Sequence, residues 1–464
     1  MKLARFIAAV LVLAFLTVAG IVAWTRSAPE DGLPYVSDDQ GRALILRGFN
    51  TAGSAKGTPD GLPEFTEADL DREYRDMGTN FVRFLLQWRA VEASPGTYDT
   101  KYLDKVAERV RWYAKRGYHV MLDMHQDLWG SGITPEGGAG NGAPGWATHL
   151  DGLPVATKQP TWEMFYLEPG VIRAFDHFWN TTGDHPELMD HYAGAWKAVA
   201  ARFKDEPAVL GYDLMNEPWG GSVQGATFET GPLAELYRRC IAQIRSVDTD
   251  SWVFLEPQAV GANWGLPSAL PHFDDPRSGP SRIGFVPHLY PLPLDLGDDY
   301  TAGSRQWTDR TIGWWRDNTL RTAKRIGGPV ILGEFGLDMT RPGSADLVGR
   351  VQELGLSMSY WSRDPGVWGP YDDKGKPTPL VDVYNRAYPR AVGGIPQKIS
   401  YAGKALTVVF DANETGPTEF YLPARDFPKG GTPSVGTATW DPARRILTVT
   451  TKTSGIVTLT ITPT

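Results

Sequence analysis

Short runs of β-branched and aromatic residues alternate with longer amphipathic stretches from about residue 33 to residue 388. In the stretches 102–115 and 187–203, apolar residues recur at intervals of three and four, which predicts helices with one buried face. Alternating strands and helices are typical of parallel β-α-β units. The strands that the pattern predicts are Leu44–Phe49, Asn80–Phe84, His119–Asp123, Val209–Met215, Trp252–Glu256, Ile283–His288, Val330–Gly333 and Ser357–Trp361.

These strand and helix pairs, spread over about 350 residues, predict a (β/α)8 TIM barrel of the α/β class. We assign residues 30–392 to this barrel. A doubly wound open sheet is the alternative, but neither a G-x-G-x-x-G motif nor a phosphate-binding loop follows the first strand. In a barrel, chemistry belongs at the carboxyl ends of the strands, so polar residues there are candidates for function.

The pattern changes after Gly393 and Gly394. Alternating runs rich in Thr and Val follow, with turn residues between them and little helical periodicity, which predicts a small β-sandwich over residues 393–464. Within the barrel, the glycine-rich segment Asp127–Pro154 is too long for an ordinary connection and is expected to be an active-site loop or lid.

Composition narrows the function. The net charge is −8 at pH 7, so nucleic acid is not an expected partner and attraction to anionic lipid is disfavoured. The chain has one cysteine, Cys240, which excludes an intramolecular disulfide; it lies in a periodic stretch and is expected to be a buried helical thiol. The 17 Trp residues mostly fill the core, but such aromatic content also suits sugar or lipid ligands.

The first 29 residues carry Lys2 and Arg5, followed by an uncharged apolar run from Phe6 to Trp24. This predicts a signal peptide and a secreted protein. Because the run approaches the length that spans a bilayer, an uncleaved N-terminal membrane anchor is the alternative.

Two acidic residues dominate the candidate chemistry. Glu217 follows the fourth predicted strand in Asn216-Glu217-Pro218, and Glu334 follows the seventh in Gly-Glu-Phe-Gly. A carboxylate at the end of so apolar a strand is costly unless it faces an open, hydrogen-bonded site. Two such carboxylates across a barrel mouth are what hydrolysis of a glycosidic bond requires.

These motifs, together with Arg83, His125 and His288-x-Tyr290, resemble the retaining glycoside hydrolases of family five. More of the chain is similar to the bacterial endoglycoceramidases. The shared segments are Arg47-Gly-Phe-Asn-Thr-Ala-Gly-Ser-Ala-Lys, Leu122-Asp-Met-His-Gln-Asp, Asn141-Gly-Ala-Pro, Ala174-Phe-Asp-His-Phe-Trp-Asn-Thr-Thr and the C-terminal β domain.

The resemblance implies hydrolysis of the bond between oligosaccharide and ceramide in glycosphingolipids, with retention. It makes Glu334 the nucleophile and Glu217 the acid/base. Arg83 and Tyr290 would keep Glu334 ionised and oriented, and Asn216 would bond the sugar 2-hydroxyl. His125 and His288 are expected to form hydrogen bonds rather than bind metal, since no H-E-x-x-H motif is present. Further substrate contacts implied are Lys56, Asp127, Trp162 and, as the sugar-stacking platform, Trp361.

The expected partners follow from this hypothesis. The substrate would be a glycosphingolipid, met at a membrane or micelle surface, and the enzyme would be a monomer without a cofactor. The segments Leu128–Leu167, Trp264–Phe273 and Leu289–Leu296 could form the apolar groove for the lipid. A secreted endo-β-glucanase and a non-catalytic glycan- or lipid-binding protein are the alternatives; the intact acid pair argues against the second.

Overall fold

We describe a computed structural model of the 464-residue chain. It describes residues 34–51, 53–130, 133, 140–159, 162–412, 416–452 and 454–464. The N-terminal segment for which an export signal was predicted, residues 1–29, lies outside these ranges, as do Gly132, Gly137 and Gly138 of the predicted lid. Among the described residues, the helices are all too short or too polar to span a bilayer.

The central feature is a parallel sheet of eight strands, which confirms the barrel predicted from the alternation of strands and helices. Around the sheet the order is β7-β6-β5-β4-β3-β2-β9-β8, and one parallel bridge from Phe285 to Val330 joins its two ends. The barrel strands are β2 (Arg47–Asn50), β3 (Phe81–Leu86), β4 (His119–Met124), β5 (Val209–Asp213), β6 (Trp252–Leu255), β7 (Ile283–Phe285), β8 (Ile331–Leu332) and β9 (Ser357–Tyr360).

Helices on the outside pack an apolar face against this sheet. In α4, the side chains of Tyr102, Val106 and Val110 are buried at a spacing of four, and the Asp99 side chain caps its first turn. The helices are α1 (Ser54–Gly57), α2 (Glu67–Met77), α3 (Trp88–Val91), α4 (Thr100–Ala114), α5 (Pro169–Phe178), α6 (Leu188–Phe203), α7 (Gly225–Phe228), α8 (Ala234–Arg245), α9 (Ala259–Ala262), α10 (Leu292–Asp295), α11 (Arg305–Ile326), α12 (Ser344–Gln352) and α13 (Pro379–Tyr384), with 3-10 turns at Gly145–Ala147 and Trp162–Leu167 and a π turn at Glu229–Leu233.

The C-terminal domain consists of two antiparallel sheets packed over an apolar core, as the alternating Thr and Val pattern predicted. Its first sheet also recruits β1 from the start of the chain, and the domain's own strands begin at Tyr388, before the boundary that we placed at residue 393. Its strands are β1 (Ala43–Leu44), β10 (Tyr388–Val392), β11 (Gly394–Ala402), β12 (Ala405–Ala412), β13 (Thr418–Tyr421), β14 (Gly431–Pro433), β15 (Thr437–Asp441), β16 (Ile446–Thr450) and β17 (Gly455–Pro463).

The two domains meet through buried polar and aromatic contacts. The Tyr388 hydroxyl donates to the carbonyl of Gly78 at 2.9 Å, and the Arg47 guanidinium donates to the Tyr401 hydroxyl at 3.1 Å. Gly78 has φ of +63°, and a Cβ there would lie 2.1 Å from the Tyr421 ring. This position therefore requires glycine for both its backbone conformation and the close approach of the second domain.

Cys240 on α8 is fully buried, as expected for a helical core position, and burial raises the pKa of its thiol. We predict that the native protein does not react with Ellman's reagent, because reaction requires an exposed thiolate. The same sample in guanidinium chloride should release one equivalent of thionitrobenzoate. Rapid reaction of the native protein would contradict the packing of α8.

Candidate active site

The carboxyl ends of the barrel strands converge on a cavity of about 510 Å³. Glu217 follows β5 and Glu334 follows β8, so the two carboxylates reach this cavity from opposite sides of the barrel. Oxygens of these two carboxylates and a ring nitrogen of His288 lie within 4.8 Å of one another. An oxygen separation of at most 4.8 Å fits a retaining glycosidase, whose carboxyl groups are about 5–5.5 Å apart, better than an inverting one, whose carboxyl groups are about 6.5–9.5 Å apart.

Arg83 organises the floor of the site from the middle of β3. Its guanidinium, which is fully buried, donates to Glu334 at 2.8 Å, to Asp213 at 2.7 Å and to Glu256 at 2.7 Å, and it lies 3.0 Å from Asp123. Burial alone would lower the pKa of Arg83, but the four carboxylates raise it well above its ordinary value. One guanidinium is thus shared by four acidic side chains.

Glu334 receives its hydrogen bonds from two directions. Arg83 donates to Oε1, and the Tyr290 hydroxyl donates to Oε2 at 2.9 Å. Burial raises the pKa of Glu334, while His288 and Arg83 oppose the shift. The carboxylate is therefore fixed in one orientation at the cavity wall.

Glu217 sits in a different environment. Its Oε1 accepts from the Asn263 side chain at 2.8 Å and faces Nδ1 of His288 at 3.0 Å. Burial would raise the pKa of Glu217, but the interaction with His288 lowers it overall. Burial would likewise lower the pKa of His288, and Glu256 and Glu334 raise it well above 6.5.

A polar and aromatic group forms one side of the cavity. Lys56 lies 2.8 Å from Asp127 and 4.2 Å from the centre of the Trp361 ring, and the His125 ring stacks on Trp361 with centroids 5.4 Å apart and an interplanar angle of 13°. Burial would raise the pKa of Asp127, but Lys56 lowers it well below its usual range. An exposed Trp162 completes the rim.

The structure thus brings all of the sequence-predicted site residues to the carboxyl ends of the barrel strands. Seven of them line the cavity, while the other four are buried immediately behind its wall. Those at the cavity are Lys56, Asp127, Trp162, Glu217, Tyr290, Glu334 and Trp361, and those behind it are Arg83, His125, Asn216 and His288. Asn216 is held there by Arg83, which donates to its side-chain oxygen at 3.0 Å.

Sequence reasoning missed several residues of the site. Asn263 contacts Glu217 directly, and Gln126 donates to the main-chain carbonyls of both Asn216 and Glu217, at 2.8 and 3.0 Å. Gln126 directly follows His125, and Asn263 follows β6 at the same end of the barrel, so the rule for strand ends could have flagged both. Gln126 also lies within the segment Leu122-Asp-Met-His-Gln-Asp that carries the resemblance, whereas Asn263 lies outside the segments quoted for it.

In the part of the chain that the structure describes, two groups of side chains have a spacing that could hold a metal ion: Glu217 with His288 and Glu334, and Asp123 with Asp213 and Glu256. In the second group, Arg83 already contacts all three carboxylates. In the first, His288 faces Glu217 at hydrogen-bond distance. Both groups are therefore compensated by cationic protein groups, in keeping with the hydrogen-bonding roles expected of the histidines.

Residues 37–366 match the family model described as cellulase, glycosyl hydrolase family 5. The chain belongs to glycosyl hydrolase family 5. Residues 386–462 also match the model for the C-terminal domain of glycoside hydrolase family 5, which agrees with the sandwich beginning before residue 393.

Individual relatives of this family 5 chain are similar over nearly its full length. The structure of endo-glycoceramidase II from Rhodococcus sp. in complex with ganglioside GM3 is 56% identical, covers 93% of this chain and 100% of its own, and superposes with a TM-score of 0.90. A lactosyl-enzyme intermediate of the same protein has a TM-score of 0.87 at the same identity. Endoglycoceramidase I of Rhodococcus hoagii is 29% identical, over 92% of this chain and 86% of its own.

We predict that Arg83→Met lowers the free energy of unfolding by at least about 3 kcal/mol, because it leaves buried carboxylates without their cation. Arg83 opposes the rise in the pKa of both Asp213 and Glu334, so its loss raises these values further. When the pKa of a carboxyl is higher in the folded than in the unfolded state, the folded state becomes less stable as the pH rises above the unfolded pKa. The decrease in the free energy of unfolding caused by Arg83→Met should therefore be larger at pH 7 than at pH 5.

Denaturant unfolding at the two pH values measures this difference. Arg245→Met is the matched control, since Arg245 is also buried but pairs with one carboxylate, Asp275, at 2.7 Å. Its loss should vary less with pH. Equal pH dependence in the two variants would contradict the shared compensation at Arg83.

Proposed function

We propose that this enzyme hydrolyses the β-glycosidic bond between the oligosaccharide and the ceramide of a glycosphingolipid and retains the anomeric configuration. One observation carries the proposal: the cavity that holds the carboxylate pair is lined by polar and aromatic side chains, such as Lys56 and Trp361, and also by aliphatic ones, such as Val260 and Leu294. A glycolipid joins a polar glycan to an apolar lipid at its scissile bond. The similarity to an enzyme solved with a ganglioside supports this assignment.

In the first step, Glu334 attacks the anomeric carbon while the bond to the ceramide oxygen breaks, and Glu217 donates a proton to that oxygen. The products are free ceramide and a glycosyl ester on Glu334. In the second step, Glu217 removes a proton from water, which attacks the same carbon and releases the glycan with Glu334 restored. Retention results from the two successive inversions.

The surroundings of Glu334 suit the role of nucleophile directly, whereas the role of Glu217 as proton donor requires a source for its proton. The hydrogen bonds from Arg83 and Tyr290 hold Glu334 ready for attack. The pKa of Glu217 is lowered by His288, whereas a donor must carry a proton. His288, whose own pKa is raised, can supply that proton across the 3.0 Å contact to Glu217.

The polar and aromatic side chains of the lining would bind the glycan. Trp361 offers a ring face for a sugar, and Lys56 and Asp127 offer a donor and an acceptor beside it. Trp162 at the rim would contact a further sugar. Asn216 and His125, just behind the wall, would reach the sugar at the scissile bond.

The apolar side chains of the lining would accept the lipid. They are Val260, Trp264, Leu294, Leu337 and Trp368, which come in part from the segments in which an apolar groove was expected, and the charged Asp295 and Arg341 line the same cavity. A β-glucan can stack its sugar rings on tryptophan, but it has no hydrocarbon chain to place against the aliphatic residues. The endo-β-glucanase alternative is therefore the weaker candidate, although it shares the same acid pair.

Exposed apolar residues adjoin the cavity-lining residues in sequence. Leu167 is 62% exposed and follows Tyr166, Leu296 is 41% exposed and follows Asp295, and Val367 is exposed next to Trp368. We propose that this rim touches the membrane or micelle that holds the substrate. From the sequence alone, we also propose export by the N-terminal segment and action as a monomer.

The substrate assignment is tested with purified protein and a ganglioside in mild detergent, with both products identified by mass spectrometry. We expect intact oligosaccharide and intact ceramide. Glu334→Ser and Glu217→Ala should lower turnover by at least about a thousand-fold while leaving thermal unfolding close to wild type. Cleavage of β-glucan without cleavage of the glycolipid would favour the glucanase, and tight binding without turnover would favour the binding protein.

The rim is tested by replacing Leu167 and Leu296 together with Glu. Binding to phosphatidylcholine vesicles that contain ganglioside should weaken by roughly ten-fold or more, because burial of each leucine contributes about 1.5–3 kcal/mol at most. Cleavage of a soluble aryl lactoside should be unchanged. Ile456→Glu is the control, since Ile456 is 61% exposed but lies on the C-terminal domain; equal weakening in the control would contradict a docking face at the barrel mouth.

A further inference from the structure

Glu256 directly follows β6 as a buried carboxylate, 1% exposed, behind the cavity wall. Sequence position alone makes it resemble a catalytic residue, yet the roles of nucleophile and acid are already filled. Its contacts indicate a different task. Oε2 accepts from the main-chain N–H of Glu217 at 2.9 Å, and Oε1 accepts from Arg83 at 2.7 Å.

A third contact connects Glu256 to the same acid by a second route. Oε1 lies 3.2 Å from Nε2 of His288, whose Nδ1 lies 3.0 Å from the Glu217 carboxylate. Glu256 is therefore connected to Glu217 in two ways: directly, by the hydrogen bond to the main-chain N–H of Glu217, and indirectly, through the imidazole of His288. Because Glu256 also raises the pKa of His288, it favours an imidazole that carries protons on both nitrogens.

The backbone of Glu217 explains why such support is needed. Its φ is +44°, in the left-handed region that residues with a Cβ rarely adopt, at a cost of about 1–3 kcal/mol. A residue in this conformation stays there only when its neighbours hold it. Glu256 holds the N–H and Gln126 holds the carbonyl, at 3.0 Å.

We propose that Glu256 is a positioning residue for the proton donor Glu217, acting through the Glu217 peptide and through His288. It does not touch substrate. The inference rests on the proposed function only in taking Glu217 as the acid/base. The consequence is that loss of Glu256 should lower kcat/KM most for substrates whose leaving group needs a proton in order to depart.

The experiment compares two lactosides that differ only in the leaving group. The aglycone of an octyl β-lactoside would depart as an unstable alkoxide, so it needs a proton from the acid. The aglycone of a 2,4-dinitrophenyl β-lactoside departs as a stable phenolate without one. The quantity to compare is kcat/KM, which covers the steps through departure of the aglycone. Glu256→Gln should lower it by at least about 30-fold on the octyl lactoside and by less than about threefold on the dinitrophenyl lactoside, since general acid catalysis contributes roughly 100- to 10,000-fold.

Glu256→Asp keeps a carboxylate in the buried cluster but shortens it, so that the bond to the Glu217 N–H is lost. It should show the same selective loss, and it carries the comparison if Glu256→Gln does not fold. Asp275→Asn is the control: Asp275 is an equally buried carboxylate, paired with Arg245 and bonded to the main chain at residue 282, before β7 and so at the opposite end of the barrel. It should lower stability and affect both substrates alike.

Equal losses on the two lactosides in the Glu256 variants would overturn the proposal, because they would place its effect on the nucleophile through Arg83. Wild-type kcat/KM on the octyl lactoside would overturn it as well. Neither lactoside contains ceramide. If the wild type cleaves both lactosides but not a ganglioside, the proposed lipid specificity fails while the test of Glu256 stands.

Discussion

The active site depends on one buried guanidinium. Arg83 lies in the middle of a barrel strand with no solvent exposure and contacts Asp123, Asp213, Glu256 and Glu334. Moving so many charges out of water costs several kcal/mol for each ion unless they are paired and hydrogen-bonded. Arg83 pairs with all four carboxylates, and it thereby connects the proposed nucleophile to Asp123 on β4, Asp213 on β5 and Glu256 just after β6. The contacts of Arg83 that orient the proposed nucleophile therefore also stabilise the buried acidic residues of the barrel.

The two carboxylates differ because their neighbours differ. Glu334 receives a cation and a phenol, while Glu217 receives an amide and an imidazole that can give up a proton. A nucleophile needs fixed orientation, and an acid/base needs a group with which it can exchange charge during the reaction. The division of labour between two chemically identical side chains thus follows from what surrounds each of them.

The sequence predicted the barrel well because its signals are strong and local. Eight apolar runs separated by amphipathic helical stretches favour few folds other than a barrel, and each run overlaps a strand of the structure. The strand limits were less certain: Leu44 was placed in the first barrel strand, yet Ala43–Leu44 pairs with the C-terminal domain, which is a long-range contact that no local pattern reveals. Glu217 and Glu334 were found because a carboxylate after an apolar strand is costly. The position of Asn263 after β6 was a weak signal, but its contact with Glu217 and the positive φ of Glu217 depend on three-dimensional packing.

The central claim is that Glu334 forms a covalent bond to the anomeric carbon of the sugar. Incubation of the protein with 2-deoxy-2-fluorolactosyl fluoride, followed by intact-mass and peptide mass spectrometry, tests it most directly, because the fluorine slows both steps and the fluoride leaves without acid. The account predicts a single fluorolactosyl adduct on the peptide that contains Glu334. An adduct on another residue, or turnover that releases the inverted anomer without any adduct, would contradict it.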